Sequence, residues 1–345
     1  MYAPRVSIVF CFALALNACS GGDLSASSAH GGSSGSAGHA GASVATSGAA
    51  GASNASANGG NSGSSSSNFG GASSAGDAGT STAGSGGASG ADGGSDPNQP
   101  PAGWVLDWSD EFNGAPGDSL DKTKWAYSVG PNDANMEQEF YTDRPQNSGY
   151  DGQGHFLITS LLEDYMGYHY TSAKFTSSGK YEFTYGRLET RIKLPAGKGL
   201  WPAFWALGTN IGDVGWPSCG EMDVMETVGN QLTMNHGSLH GPGYSGSACL
   251  TATYTLPNKA TLDDDFHVFA AEWEENVVRF YVDDTLYETR TPADVPAGKK
   301  WVYDHNIFLI LNVAVGGTLP GDPDDSIFPR SMAIDYVRVY KRPAQ

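Results

Sequence analysis

The residues best suited to chemistry form one short segment, Gly220-Glu221-Met222-Asp223-Val224-Met225-Glu226. Three carboxylates among Met and Val would serve a core strand badly. In a strand, side chains at i and i+2 share a face, so Glu221 and Asp223 point together. Glu226 would point away unless one extra residue, a β-bulge, returns it to their side. With that bulge the two glutamates stand four strand steps apart, roughly 13 Å between Cα atoms. Leaning inward, their carboxyls can approach to about 5–5.5 Å, the separation for double displacement at a sugar carbon. Asp223, between them, can bond the nucleophile and raise the pKa of the acid through its charge. A solvated acidic edge strand and a calcium site are the blander readings. The tryptophans weigh against both: Trp201 and Trp205 in Leu200-Trp201-Pro202-Ala203-Phe204-Trp205, and Trp216 in Gly215-Trp216-Pro217, lie just upstream. Flat aromatic faces stack on pyranose rings, so three indoles beside an acidic strand predict a sugar cleft.

The elements that must carry these residues are strands. From Leu188 to Leu194, Leu188, Thr190, Ile192 and Leu194 alternate with Arg187, Glu189, Arg191 and Lys193, the pattern of a strand with one buried face. Val277–Val282 alternates too and runs into Asp283-Asp284, a hairpin turn. Ile307-Phe308-Leu309-Ile310-Leu311 is apolar on both faces and belongs in a central strand, and Ala333–Tyr340 closes the chain with another. Short strands separated by Gly, Pro and Asp turns imply an all-β antiparallel sandwich or barrel.

This region resembles glycoside hydrolase family 16. Glu221-x-Asp223-x-x-Glu226 is similar to its active-site strand, in the version with the extra residue that laminarinase-like members carry. The likeness runs from Trp108-Ser109-Asp110-Glu111-Phe112 to Asp335-Tyr336-Val337-Arg338-Val339-Tyr340. Between them lie Phe140-Tyr141-Thr142-Asp143-Arg144-Pro145, Tyr185-Gly186-Arg187, His236-Gly237-Ser238-Leu239-His240-Gly241-Pro242-Gly243 and Leu311-Asn312-Val313-Ala314-Val315-Gly316-Gly317. The resemblance implies a concanavalin A-like jelly roll with a concave cleft, and retaining endo-hydrolysis of β-1,3-glucosidic bonds. Glu221 would be the nucleophile, Asp223 its assistant and Glu226 the acid/base, with no cofactor in catalysis. It also implies cleft roles for Trp201, Trp205 and Trp216, and sugar contacts by Asn135, Arg187 and His240. Arg187 could instead pair with a cross-strand acid, and His240 could stabilise a loop. Many members bind a structural calcium; Glu111 and Gly154 would supply backbone oxygens and Asp335 its side chain, unless Asp335 merely caps a strand edge. Two stretches depart from the family pattern, Pro131-Asn132-Asp133-Ala134-Asn135 and His305-Asn306, neither touching the three carboxylates. The rival enzymes act on β-1,3/1,4-glucan or an algal galactan. The rivals without hydrolysis are a glucan-binding module and a calcium-dependent lectin.

Composition sets the organisation around this domain. Of the 81 residues from Ser20 to Pro100, 22 are Gly, 22 Ser and 17 Ala, with one aromatic, Phe69, and no Lys or Arg. Such a stretch cannot bury enough apolar surface to offset its ordering entropy, so residues 20–100 are expected to be a disordered linker. All eight tryptophans lie in 101–345, a length that suits one all-β domain. That domain holds 18 Lys and Arg against 33 Asp and Glu, −15 of the chain's −18. Nucleic acid is excluded as a partner, because phosphate neutralisation needs clustered cations. A β-glucan is the expected partner, and the domain is expected to be a monomer.

Residues 1–19 read as an export signal: Arg5, an apolar run from Val6 to Leu16, then Leu16-Asn17-Ala18-Cys19. The end resembles a bacterial lipobox. Cys19 would then be lipidated and the protein held at the cell surface or outer membrane; plain secretion is the alternative. In an oxidising compartment, Cys219 and Cys249 could form a disulfide or remain two buried thiols.

Overall fold

The computed structural model describes residues 100–132 and 134–344. The signal, Cys19 and nearly all of the linker lie outside the described residues. The first strands are β1 (Val105–Asp110), β2 (Ala126–Tyr127), β3 (Gly130–Pro131), β4 (Glu139–Tyr141) and β5 (Ser148–Tyr150). Next come β6 (Phe156–Tyr165), β7 (Tyr168–Ser172), β8 (Lys174–Thr176), β9 (Gly186–Lys193), β10 (Leu200–Gly208) and β11 (Glu221–Glu226). The chain continues through β12 (Met234–His240), β13 (Leu250–Thr255), β14 (His267–Glu274), β15 (Val277–Val282) and β16 (Thr285–Arg290). It ends with β17 (Ile307–Val315) and β18 (Arg330–Lys341). Among the described residues no helix is long and apolar enough to cross a membrane.

These strands make a two-sheet sandwich, the jelly roll expected of the sequence. The first sheet has 11 strands, with β16-β15-β14-β9-β18-β6-β7-β4-β3 in a row and β1 and β5 pairing with β18 and β6. The second has seven, in the order β13-β12-β11-β10-β17-β8-β2. Alternation decides which side chains meet between them. Leu188 and Ile192 of β9, with Phe269 and Ala271 of β14, face Phe204 and Ala206 of β10 and Leu309, Leu311 and Val313 of β17 in one core. Each Leu, Ile, Val or Phe among them contributes about 1.5–3 kcal/mol when removed from water. β17 is apolar on both faces because it sits centrally between β10 and β8. Its Phe308 and Ile310 turn the other way and join Ala203, Trp205, Leu207 and Cys219. The Asp283-Asp284 turn closes β15 onto β16, with Val282 opposite Thr285 and both aspartates at positive φ (47° and 63°). Asp tolerates this left-handed backbone better than most residues, as a tight hairpin requires.

Cys219 is a free, buried thiol, so no Cys219–Cys249 disulfide forms. Cys219 leads into β11 and Cys249 into β13, and β12 runs between those strands. Two strand spacings are roughly 9–10 Å, whereas a disulfide holds its Cα atoms at about 4.4–6.8 Å.

Candidate active site

The seven-stranded sheet positions the acidic segment, and a bulge is what makes it work. Along β11 the rungs to β12 run Glu221–His240, Met222–Leu239, Asp223–Ser238 and then Glu226–His236. Two residues of β11, Val224 and Met225, therefore stand against one of β12, Gly237, and a second register shift appears opposite β10, between Phe204 and Trp205. Met222, Val224 and Met225 join the core between the sheets. Glu221, Asp223 and Glu226 share the opposite face, with Glu221 opposite Leu207 and Glu226 opposite Ala203, four rungs apart on β10.

Each glutamate has its own indole. Trp201 Nε1 donates to Glu226 Oε1 at 3.0 Å, and Trp216 Nε1 donates to Glu221 Oε2 at 3.1 Å. The remaining oxygens, Glu221 Oε1, Glu226 Oε2 and both of Asp223, are buried without a well-aligned hydrogen bond among the described residues, His240 Nε2 being the basic group beside Asp223 and Glu221. Buried acceptors are rarely left so, and in a site they can accept from a bound ligand or water. Burial and mutual repulsion push two of the pKa values well up. For Glu221 burial is the main cause, then the charges of Asp223 and Glu226, opposed by the Trp216 hydrogen bond and the Lys174 ammonium. For Glu226 burial again leads, then Asp223; the Trp201 hydrogen bond opposes both, and Glu137 adds to the rise.

His240 Nε2 lies 3.1 Å from Asp223 Oδ2 and 3.8 Å from Glu221 Oε1, and its ring is 6.0 Å from that of Trp216. Trp205 Nε1 is held by Asn312 Oδ1 at 2.8 Å, and Asn312 Nδ2 donates to Tyr141 Oη at 3.1 Å. Tyr141 in turn reaches Glu137 at 3.4 Å, and Asn135 Nδ2 donates to the same carboxylate at 3.4 Å. Gly317 packs against both Asn135 O and the Trp201 ring, which brings Asn135 to the Glu226 end of the site. Lys174 Nζ stands 4.9 Å from the Trp205 ring centroid. Sequence reasoning missed Glu137, Tyr141, Lys174 and Asn312. Tyr141 and Asn312 had a signal, since both stand in stretches that resemble the family, and Glu137 lies close to Asn135 in the chain; Lys174 comes from a strand whose neighbours only the topology reveals.

Arg187 is not part of this constellation. It lies on β9 in the other sheet, and because Leu188 and Ile192 point into the core, its guanidinium points off the outer face. There it pairs with Glu189 at 2.7 Å and with Glu272, its cross-strand neighbour on β14, at 3.3 Å. The expected sugar contact is thereby corrected in favour of the cross-strand pair.

Glu111, Gly154 and Asp335 gather around β18. Asp110 pairs with Val337 and Phe156 with Ile334, so the residues next to those rungs fall at the same stretch of that strand. Arg338 holds the Glu111 carboxylate at 2.7 Å, and Arg191 holds Asp335 at 2.6 Å. Gly154 has φ +92°, and a Cβ there would lie 3.7 Å from Asn113 Oδ1. Backbone and carboxylate oxygens are the donors calcium prefers, and Asp335 would have to share its carboxylate with Arg191 to hold such an ion.

Comparison with known proteins agrees with this geometry. The sequence profile described as "Glycosyl hydrolases family 16" matches residues 132–338. A "Beta-glucanase" of Rhodothermus marinus is 38% identical over 261 residues, covering 72% of this chain and 89% of that protein. The laminarinase catalytic domain of Thermotoga maritima MSB8 superposes with a TM-score of 0.66 at 45% identity, covering 70% of this chain and 99% of that one. The endo-β-1,3-glucanase of Pyrococcus furiosus gives a TM-score of 0.66 at 43% identity, covering 70% of this chain and 96% of that one. With its bulged acidic strand set among indoles and its profile spanning most of the sandwich, the chain belongs to glycosyl hydrolases family 16.

Proposed function

We propose that this chain hydrolyses internal β-1,3-glucosidic bonds of laminarin-type glucans with retention of configuration. The observation that carries the reading is the pair of glutamates on one face of β11, four rungs apart and each held by its own indole. Glu226, protonated, gives its proton to the glycosidic oxygen as the bond to the anomeric carbon breaks. Glu221 attacks that carbon from the opposite side and forms an α-linked glycosyl enzyme. Glu226, now a carboxylate, takes a proton from water, whose oxygen displaces Glu221 and restores the β configuration. Burial and then the Asp223 charge raise both carboxyls, opposed by Trp216 and Lys174 at Glu221 and by Trp201 at Glu226. The division of roles therefore rests on the likeness of Glu221-x-Asp223-x-x-Glu226 to the family's active-site strand. Trp201, Trp205 and Trp216 offer ring faces to the sugars, and Asn135 and His240 offer polar groups to their hydroxyls.

The test is product analysis on laminarin, curdlan, lichenan, agarose and carrageenan. Laminarin and curdlan should yield new reducing ends, released as β-anomers. Cleavage of agarose or carrageenan without laminarin would transfer the reading to a galactan. Glu221→Ala should abolish reducing-end release from laminarin while binding persists; turnover like the wild type would remove the nucleophile from Glu221. Azide separates the roles, giving β-glycosyl azide with Glu226→Ala and α-glycosyl azide with Glu221→Ala.

Two further readings rest on sequence and chemistry. A calcium ion would be held by the Glu111 and Gly154 backbone oxygens and the Asp335 carboxylate, bracing β18 against its neighbours. The Leu16-Asn17-Ala18-Cys19 segment supports an exported lipoprotein anchored through Cys19. Palmitate labelling that disappears in Cys19→Ala supports the anchor; labelling that survives overturns it.

A further inference from the structure

The bulge leaves a backbone debt that one side chain settles. Where two residues of β11 stand against one of β12, the Glu226 N–H and the Val224 C=O lose regular ladder partners. Asn235, the residue before His236 on β12, lies beneath that gap with its side chain fully buried. Its Oδ1 accepts from Glu226 N at 3.2 Å, and its Nδ2 donates to Val224 O at 3.3 Å. The same Nδ2 lies 3.2 Å from Tyr287 Oη, which reaches across the core from β16 of the other sheet. An amide is the one uncharged side chain of this size that accepts and donates at adjacent atoms, as an N–H and a C=O side by side require. Aspartate could not serve the carbonyl, and leucine could serve neither.

We infer that Asn235, braced by Tyr287, is a positioning residue that sets where the Glu226 carboxyl stands relative to Glu221. The inference rests on the proposed acid/base role of Glu226. The hold is selective because Glu221 is fixed independently, by its rungs to His240 and Leu207 and by Tyr303 Oη, which donates to Glu221 O at 3.2 Å. Loosening the bulge therefore displaces the acid/base and leaves the nucleophile in place.

The experiment compares laminarin, whose leaving group needs the acid, with 2,4-dinitrophenyl β-laminaribioside, whose leaving group does not. Asn235→Ala should lower kcat/KM on laminarin by about 10²-fold, the scale of a lost general acid. The burst of dinitrophenolate should stay near the wild-type rate. The steady-state rate on that same substrate should fall, because water still needs the base, and azide should restore turnover as β-glycosyl azide. Tyr287→Phe, which keeps the ring packing, should show the same split at about 3–10-fold, the scale of one neutral hydrogen bond. If Asn235→Ala does not fold, Tyr287→Phe and Asn235→Ser decide by the same split. Wild-type turnover of laminarin, or equal loss on both substrates without azide rescue, would overturn the inference. Glu226→Ala run in parallel isolates the premise: absence of azide rescue there refutes the acid/base assignment itself, whatever Asn235 does.

Discussion

At the scale of single residues, the site works by placing three carboxylates where they cannot all ionise together. The indoles of Trp201 and Trp216 are hydrogen-bond donors to that set as well as flat surfaces, and their removal has a signed consequence. The Trp201 N–H favours the charged form of Glu226, so Trp201→Phe should raise the pKa of the acid. The alkaline limb of the kcat/KM profile should then move to higher pH, because the acid keeps its proton longer. The rate at the optimum should fall by about tenfold as the carboxyl loses its tether. A pH–rate profile on laminarin checks both. The three acids and three indoles were legible in the sequence because residue types so ill suited to a core strand stand close together. Arg187 was misplaced for a physical reason. An arginine on a strand with one buried face has two candidate surroundings, and only the position of β9 in the other sheet, beside Glu272, decides between them.

At the scale of the element, β11 is a strand whose face assignment depends on one residue. Deleting Val224 leaves Glu221, Asp223 and Glu226 at regular alternate positions, still on one face, with Met222 and Met225 still toward the core. That variant should retain measurable glucanase activity. Deleting Met222 instead sends Glu221 to the opposite face and should abolish it. Reducing-end assays on the two deletions make the comparison. The Val224 deletion also restores ladder partners to Glu226, so Asn235→Ala should cost far less in that background than in the wild type, a non-additivity readable in a double-mutant cycle. The bulge itself was legible, since Glu226 could share a face with Asp223 in no other way. Its amide clamp was not, because Asn235 is nine residues away in sequence and one strand away in space.

At the scale of the whole molecule, the sandwich divides its labour between two sheets. The seven-stranded sheet carries the site, and the 11-stranded sheet covers its back and gathers the residues proposed for calcium. If the ion binds there, chelation should lower the thermal midpoint by about 2–5 °C, and Asp335→Asn should erase the difference between chelated and calcium-loaded protein. A midpoint indifferent to both would remove the ion. The sandwich was legible from strand alternation and the doubly apolar run of β17. The strand order was not, and of the two readings left open for Cys219 and Cys249 the disulfide between them fell with it. Cys219 and Cys249 are 30 residues apart in sequence, and whether their strands are neighbours depends on β12 lying between them.

The unpaired thiol has a practical consequence. Cys219 packs with Trp205, Leu207 and Phe308 just ahead of Glu221, and burial, followed by the Glu221 charge, pushes its pKa up to about 12. A thiol reagent acts on the thiolate and needs access, so the closed sheet protects Cys219 twice over. Its labelling rate under native conditions therefore counts the moments when the glutamate-bearing sheet opens. The molecule carries its own stopwatch for local unfolding beside the proposed point of sugar cleavage.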